Sequence, residues 1–500
     1  MSRKSKRQIR HGKHKPPASG REPSVRLTQR DVEASADELV TFHHLFQPLF
    51  QRREQRHWSA FYLCGQLANL ARKTIEGMVL ALKGPDRNAI RGLQQFIGQG
   101  RWRAETILVQ HQDLVAEWFG EPDGVVIVDG SGFPKRGPYS AGAAPQYCGH
   151  LGKVANCQQG VFLVYASSRG YTFLDERLYV PEGWFGADYR ERWQRCGIPE
   201  DLRFQTEPEL GREMIGDLVS RGVVPFRWVT ADEHYGENPA FLDEISALGK
   251  WYLVEVPAHT RVWLRTPAVE PPGRGLLGRP RTRPRVVRNA PRPREVCELA
   301  EGLPKSQWTR RIIKEGSKGP LVAEFAFLRA TTIRNGLPGP RVWVVFRRTL
   351  GPQSELKCYF SNAPTTCPQS EFIRVSGLRW PVETTLEEGK GEVGMDHYET
   401  RSWPGWHHHM AQTFQAHLFL MRLRLIFQKK SGADYGASAS VGGSSHRERQ
   451  RPPARYAQRG DSRLPATAKL CRLSFASQAH TQAPSPATSR AAKAQSLVVA

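Results

Sequence analysis

Apolar residues in the first part of the chain recur with the spacing of an α-helix. Two sets follow the 3.6-residue period between residues 37 and 120, and Gly84-Pro85 divides the region. We therefore predict a helical N-terminal domain over residues 35–120. The two sets are Leu39, Phe42, Leu45, Phe46 and Leu49, then Phe61, Leu63, Leu67, Leu70 and Ile75.

The pattern changes at residue 124 to short apolar runs that are typical of buried strands. The run GVVIVDGSGF carries Asp129 where its apolar part ends, and FRWVTAD ends in Asp232 in the same way. Helix candidates alternate with these strands, so we predict an α/β domain whose first part covers residues 121–260. The other candidate elements are a hairpin (161–167 and 171–180), helices at 209–221 and 239–248, and a strand at 251–256.

The second half of the chain divides into three regions. Residues 261–365 comprise a Pro- and Arg-rich linker, which has eight Arg and no acid between Arg274 and Arg294, followed by three strand-like apolar runs. Residues 366–430 should complete the α/β domain with a helix from Pro368 to Glu392, broken once, and an amphipathic helix over 404–429. Residues 431–500 show no sustained period, and we predict a disordered tail, translated out of the ancestral frame and dispensable for folding.

The charge of the chain indicates the kind of partner that it binds. The net charge is +24, and the first 30 residues hold ten Lys or Arg and one acid, which predicts a disordered basic arm over residues 1–34. A polyanion is the expected partner, with nucleic acid ahead of an anionic membrane because the positive charge comes in blocks. No apolar run is long enough to cross a bilayer. The eight cysteines include no CxxC pair, so neither a disulfide framework nor a structural zinc site is expected.

Three acids are candidates for metal-dependent phosphoryl transfer. Asp129 and Asp232 each end a predicted strand, and Glu383 lies in a predicted helix. Carboxylates suit Mg²⁺, and phosphoryl transfer on a nucleic acid uses two such ions about 4 Å apart. For either Asp alone, a capping role is favoured about two to one, and for Glu383 alone a solvated helix face is the default.

The residues around Glu383 shift this balance toward a catalytic site. Arg379 precedes Glu383 by four positions and Lys390 follows it by seven, so all three share one helical face. Such a row can bind a metal at its centre and phosphates on either side.

At this point the sequence resembles a known family. Arg379, Glu383 and Lys390 match the tyrosine–arginine–glutamate–lysine signature of insertion-sequence transposases, although Ser376 stands at the tyrosine position. Three further blocks, around Asp129, around Asp232 and at RSWPGWHHHM (401–410), are similar to the branch called seven-zero-one, related to the insertion sequence four group. The resemblance covers roughly residues 40 to 425.

The resemblance implies the fold, the cofactor and the partners. It implies an RNase H-like catalytic domain with a mostly β insertion between Asp232 and Glu383, and two Mg²⁺ or Mn²⁺ ions. It implies cleavage of double-stranded DNA at terminal inverted repeats, joining to target DNA, and a homodimer or larger assembly. A bacterial cytoplasmic, nucleoid-associated location also follows from it, with no role for a membrane.

Several other residues are candidates for DNA contact. Lys135 and Arg136 follow Asp129 in a Gly/Pro-rich loop and Lys153 follows Gly152; phosphate binding and simple solvation are about equally expected for them. Core packing is the expected role for Trp380, Trp403 and Trp406, about three to one over stacking on a base. Packing or backbone contacts are expected for the adjacent histidines His407, His408 and His409, which as helix neighbours cannot easily share one ion.

Three functions therefore compete. The first is a DDE transposase in which Asp129, Asp232 and Glu383 hold the metals while Arg379 and Lys390 clamp phosphates. The second is a catalytically decayed derivative that still binds DNA, which Ser376 favours slightly. The third is an RNase H-like nuclease that hydrolyses DNA without joining it.

Overall fold

The computed structural model describes residues 29–273, 281–316, 319–351 and 354–431. Most of the predicted arm, part of the Arg-rich linker and nearly all of the predicted tail lie outside these residues. Within them, no helix is long and apolar enough to cross a membrane.

Five helices form the N-terminal region. The first begins at Gln29, inside the stretch whose composition predicts a disordered arm, because its buried residues Ala36, Leu39 and Phe42 continue the helical period of the core. Side chains of this region share one apolar core with the sheet that follows. The helices are α1 (Gln29–His44), α2 (Arg53–Leu67), α3 (Ile75–Lys83), α4 (Arg87–Gly98) and α5 (Ala104–Phe119).

Ten strands form one mixed sheet, which is the framework of the molecule. From one edge the order is β11-β12-β13-β14-β6-β5-β1-β3, and β3 then pairs with both β2 and β4. The pairs β1–β5 and β5–β6 are parallel and the others are antiparallel. The strands are β1 (Val125–Pro134), β2 (Ala144–Cys148), β3 (Lys153–Ser167), β4 (Gly170–Tyr179), β5 (Trp228–Ala231), β6 (Trp251–Val256), then, after four two-residue strands, β11 (Thr309–Gly316), β12 (Gly319–Arg334), β13 (Leu337–Thr349) and β14 (Leu356–Ser361).

The α/β prediction is confirmed, and the hairpin lies where the alternation places it. The insertion between Asp232 and Glu383 is mostly β and extends the same sheet through β14, which pairs with β6. The described residues of its linker part form four short strands and one α-helix: β7 (Arg261–Val262), β8 (Val269–Glu270), β9 (Arg285–Val286), β10 (Arg294–Glu295) and α10 (Val296–Glu301).

Helices cover both faces of the central strands. A Cβ on Gly211 of α7 would lie 3.0 Å from Val128, so α7 packs on the face that bears Val128. The neighbouring Phe162 points to the other face, where Trp406 and Phe414 meet it with ring centroids 6.4 Å away. These helices are α6 (Arg190–Cys196), α7 (Glu207–Arg221), α8 (Glu233–Gly236), α9 (Pro239–Ala247), α11 (Gln369–Gly377), α12 (Trp380–Gly391) and α13 (Trp403–Ser431).

The last helix differs from its prediction. The sequence predicts an amphipathic helix, but residues 408–419 of α13 are buried on every side. Its polar residues are tolerated there because they bond to other buried groups: Gln412 to Ser59, and Gln66 to Thr413 at 2.8 Å. The helical period of the sequence predicted a solvated face for this helix, and that prediction is wrong. A helix in the centre of a protein can carry polar side chains on every side when each of them bonds to another buried group.

Candidate active site

One cleft of about 1050 Å³ brings the three candidate acids together. Asp129 lies in β1, Asp232 follows β5, and Glu383 projects from α12. Because β1 and β5 are adjacent and parallel, the two Asp residues reach the same edge of the sheet. α12 packs across β1 and adds the third carboxylate.

Each Asp is held by a backbone amide that follows it in the chain. β5 ends just before Asp232 as predicted, but the prediction that Asp129 ends its strand is wrong, because pairing with β3 continues β1 to Pro134. Asp129 Oδ1 accepts a hydrogen bond from the Gly130 amide at 2.8 Å. Asp232 caps α8 by accepting from the His234 amide at 3.1 Å. The capping interpretation of Asp232 is therefore correct as local structure, and the cap also fixes the carboxylate at the cleft.

The cleft concentrates negative charge. Burial, together with the charges of Asp232 and Glu383, raises the pKa of Asp129 to about 7, although Arg379 and the Gly130 amide oppose the rise. Two further carboxylates, Glu207 and Glu387, line the same cleft. Burial also raises the pKa of Glu207, and repulsion from Asp232 adds to this effect. Such mutual repulsion is what a bound cation would relieve.

Two cations accompany the acids. Arg379 Nη1 lies 3.4 Å from Glu383 Oε1, and Arg379 Nε lies 4.0 Å from Glu255. Lys390 lines the cleft, with its Nζ 3.5 Å from the carbonyl of Gly132. Burial lowers the pKa of Lys390. Lys390 is thus placed to meet an anion in the cleft, whereas Arg379 is occupied by two carboxylates.

The remaining candidate cations lie elsewhere. Lys135 and Arg136 line a separate cavity of about 290 Å³, where Lys135 Nζ sits 3.4 Å from the centre of the Tyr398 ring. Burial lowers the pKa of Lys135 to about 7. Lys153 is exposed at the start of β3 and does not line the cleft.

Ser376, Trp380 and the three histidines each have a clear environment. Ser376 is buried and donates to the carbonyl of Ile373 at 2.8 Å, so it offers no substitute for a phenol. The prediction of core packing is wrong for Trp380, which is 56% exposed because α12 begins at the surface. The same prediction is correct for Trp406, which is buried. His408 bonds to the carbonyls of Ile97 and Trp102, and His409 to that of Met395, as expected for packing and backbone contacts. The prediction does not hold for His407, whose Nδ1 lies 2.8 Å from the carboxylate of the buried Glu176.

Sequence reasoning missed several residues that line the cleft, among them Glu207, Glu387, Tyr147 and Gln159. Glu387 had a signal, since it follows Glu383 by one helical turn. Glu207 had none, because an acid in the first turn of a helix is ordinary. Tyr147 and Gln159 come from β2 and β3, and only the pairing of those strands brings them to the cleft.

A preformed metal cage is not present in the part of the chain that the structure describes. Among those residues, no group of three or more His, Cys, Asp or Glu is arranged closely enough to hold a metal ion by itself. The three acids nevertheless share one cleft and repel one another, and carboxylate oxygens are the donors that hard divalent cations prefer.

Comparison with known proteins agrees with this chemistry. Residues 45–320, more than half of the chain, match the family described as DDE superfamily endonuclease. The match ends before α12, so it does not include Glu383. The chain is 26% identical over 353 residues to a probable transposase for insertion sequence element IS701 from Microchaete diplosiphon, covering 70% of this chain and 78% of the relative.

Two solved structures show weaker similarity. The piggyBac transposase synaptic complex with hairpin DNA is 10% identical, with a TM-score of 0.36 over 90% of this chain and 80% of that one. The NurA nuclease from Sulfolobus solfataricus is 12% identical, with a TM-score of 0.25 over 66% of this chain and 91% of that one.

Proposed function

Because the chain belongs to the DDE superfamily of endonucleases, we propose that it is a DNA transposase whose catalytic residues are Asp129, Asp232 and Glu383. It cleaves the ends of its element at terminal inverted repeats and joins them to target DNA. The observation that carries this assignment is the single cleft into which β1, the end of β5 and α12 each deliver one carboxylate. The sheet order β4-β3-β1-β5-β6, with only the last two steps parallel, is that of the proposed RNase H-like core.

Asp129, Asp232 and Glu383 would hold the divalent metal, two Mg²⁺ or Mn²⁺ ions in this proposal. The fit rests on the donor set, which is all carboxylate, and on the excess negative charge that raises the pKa of Asp129. When bound, such ions activate the attacking oxygen and stabilise the leaving oxygen in phosphoryl transfer.

The chain's own cations act on the DNA and on the acids. Lys390 faces the cleft beside the carbonyl of Gly132 and contacts a phosphate there. Arg379 lies between Glu255 and Glu383 and orients the Glu383 carboxylate, so its main role is positioning. Lys135, Arg136 and Lys153 lie outside the cleft and contact flanking phosphates.

The partner is double-stranded DNA, at the inverted repeats and at the target. The net charge of +24 supports a polyanionic partner, and the relative is itself a probable insertion-sequence transposase. A homodimer or larger assembly would bring two ends together, and the nucleoid of a bacterial cell would be its place of action.

The test is cleavage of a labelled duplex that carries the inverted repeat flanking the gene. The variants Asp129→Asn, Asp232→Asn and Glu383→Gln should lose cleavage in Mg²⁺ while retaining DNA binding. Glu191→Gln is the matched control, since Glu191 is an exposed acid on α6 with an ion pair to Arg195. Substantial cleavage by any of the three variants would remove that residue from the site.

A second assay separates joining from hydrolysis. Pre-cleaved ends mixed with plasmid should give strand-transfer products with the wild type. Hydrolysis without any joined product would identify a nuclease, and DNA binding without cleavage would identify a decayed derivative.

A further inference from the structure

A two-stranded ribbon stands at the mouth of the carboxylate cleft. We define the ribbon as residues 144–157, which contain β2, a single 3₁₀ turn and the start of β3. β1 ends at Pro134, opposite Cys157, so residues 153–156 of β3 pair with β2 but extend past β1. Gly152 closes the turn in the left-handed region, with φ of 62°. The ribbon therefore projects beyond the sheet beside the cleft.

The ribbon exposes an apolar pair. Tyr147 is 64% exposed and Val154 is 66% exposed, the two highest values among large apolar side chains in the described part of the chain. They are directly opposite each other in the register of β2 and β3, so both side chains stand on one face. Tyr147 also lines the cleft together with Asp129, Asp232 and Glu383.

This exposure is built into the structure, because the ribbon is held firmly at its base. Gln146 Nε2 donates to the carbonyl of Cys157 at 2.7 Å, and Asn156 Nδ2 donates to the carbonyl of Lys135 at 2.8 Å. Cys148 is fully buried and packs against Gly132, where a Cβ would come within 2.8 Å of its sulfur. Tyr147 and Val154 are thus presented outward by a rigid support, as at a binding surface.

Two exposed cations lie near the pair along the chain. Lys153 adjoins Val154 but pairs with Cys148, so its side chain stands on the opposite face of the ribbon, and Arg136 lies in the loop that follows β1. Neither forms an ion pair with a residue that the structure describes. An exposed aromatic ring at the mouth of the carboxylate cleft suits a nucleic acid, because the ring can stack on a base of the strand whose phosphate enters the cleft.

We infer that Tyr147, supported by Val154, stacks on a nucleobase next to the phosphate that enters the carboxylate cleft. Lys153, on the opposite face of the ribbon, contacts a phosphate farther from the cut. This inference rests on the proposed function and deepens it, since it assigns the ribbon to the DNA immediately around the cut. Tyr147 contacts the substrate without taking part in the bond exchange.

Photocrosslinking tests the stacking directly. Duplexes carrying the inverted repeat, with 5-iodouracil at successive positions around the cut, are irradiated with the full-length protein in Ca²⁺. We expect a crosslink that peptide mapping places on Tyr147, confined to one or two positions. Tyr147→Phe should retain it, and Tyr147→Ala should lose it and cleave at least fivefold more slowly in Mg²⁺.

The control is Tyr139→Ala, since Tyr139 is 50% exposed in the preceding loop but does not line the cleft. Tyr139→Ala should crosslink and cleave as the wild type does, and all three variants should keep the wild-type melting temperature. No crosslink on the ribbon, or equal cleavage by Tyr147→Ala and wild type, would overturn the inference while leaving the proposed function intact.

Two other outcomes would also overturn it. A change in molecular mass by light scattering in Tyr147→Ala, with no change in crosslinking, would assign the ribbon to a second copy of the chain. Failure of the folded wild type to cleave the labelled end at all would refute the proposed function, and the inference would fall with it.

Discussion

The two faces of α12 place neighbouring glutamates in opposite environments. On the cleft side, Glu383 forms an ion pair with one of the described residues, Arg379, at 3.4 Å. On the side facing α13, Glu388 accepts from Tyr171 at 3.0 Å and Arg424 at 3.1 Å, and lies 3.2 Å from His417 Nε2. The cleft face leaves its negative charge only partly compensated, whereas three donors surround the carboxylate of Glu388 on the other face.

The pKa values follow this difference. Asp129, which faces Glu383 across the cleft, has its pKa raised to about 7 by burial and by neighbouring acids. Burial would also raise the pKa of Glu388, but hydrogen bonds and charge from His417 and Arg424 outweigh it and lower the pKa to about 2. The Glu388 contacts thus add to the stability that α12 gains from its buried residues, whereas the Glu383 side keeps a repulsive arrangement suited to binding cations.

A glycine completes the anchored face. A Cβ on Gly389 would lie 2.8 Å from the Phe173 ring and 3.0 Å from the Met395 sulfur. Only glycine lets α12 approach β4 this closely, which brings Glu388 within reach of its partners.

The largest expected effect separates activity from stability. Glu383→Gln should reduce single-turnover end cleavage by about 10³-fold or more, because a carboxylate that completes the site is lost. Its melting temperature should stay the same or rise, since the change relieves repulsion. A drop in melting temperature comparable to that of Glu388→Ala would show that both faces support the fold equally.

The second prediction concerns the anchored face. Glu388→Ala should lower the free energy of unfolding by about 2–4 kcal/mol, because His417 and Arg424 lose their acceptor. Glu387→Ala is the matched control: this neighbouring acid is exposed, and its removal should change stability by about 0.5 kcal/mol or less. Denaturant unfolding of both variants measures the difference, and equal effects would contradict the comparison.

Acid should weaken the same anchor. The pKa of Glu388 is about 2 in the folded protein against a usual 4.5, so its contribution is present above pH 4.5 and is lost as pH falls toward 2. The stability difference between wild type and Glu388→Gln should therefore shrink as pH falls below 4.5. Thermal melts across this range test it, and a difference that stays constant to pH 3 would exclude the carboxylate as the cause.

The contrast between these glutamates also shows what sequence can reveal. Glu383 was found because Arg379 and Lys390 lie within one helix, where spacing fixes geometry. The partners of Glu388 lie 29 and 36 residues away on α13, at a distance that no local pattern encodes. The strand that carries Asp129 and the strand that precedes Asp232 were predicted for the same reason as Glu383, since apolar runs are local.

What the sequence did not predict depends on packing between distant elements. The sequence predicts that Lys135 is a free cation in a polar loop. In the structure its ammonium group packs on the ring of Tyr398, a residue more than 250 positions away. α13 reads as amphipathic, yet the N-terminal helices enclose it. Trp380 is predicted to lie in the core because tryptophan is usually buried, but it is exposed because α12 begins at the surface.

The smallest expected effect extends the comparison from acids to cations. Within the Arg-rich linker, Arg281 and Arg285 both bind Glu270, at 2.8 Å and 2.9 Å, whereas Lys153 on the ribbon has no acidic partner among the described residues. A free cation that contacts a phosphate steepens the slope of log affinity against log salt by about 0.9, and a paired cation contributes less because its charge is already compensated.

Lys153→Gln should therefore flatten the slope by about 0.9, and Arg281→Gln by clearly less. Fluorescence anisotropy with the labelled end at several salt concentrations measures both slopes. A larger change for Arg281→Gln would mean that Glu270 releases its arginines to the DNA, and that ion pairs in the free protein do not decide which cations meet phosphates.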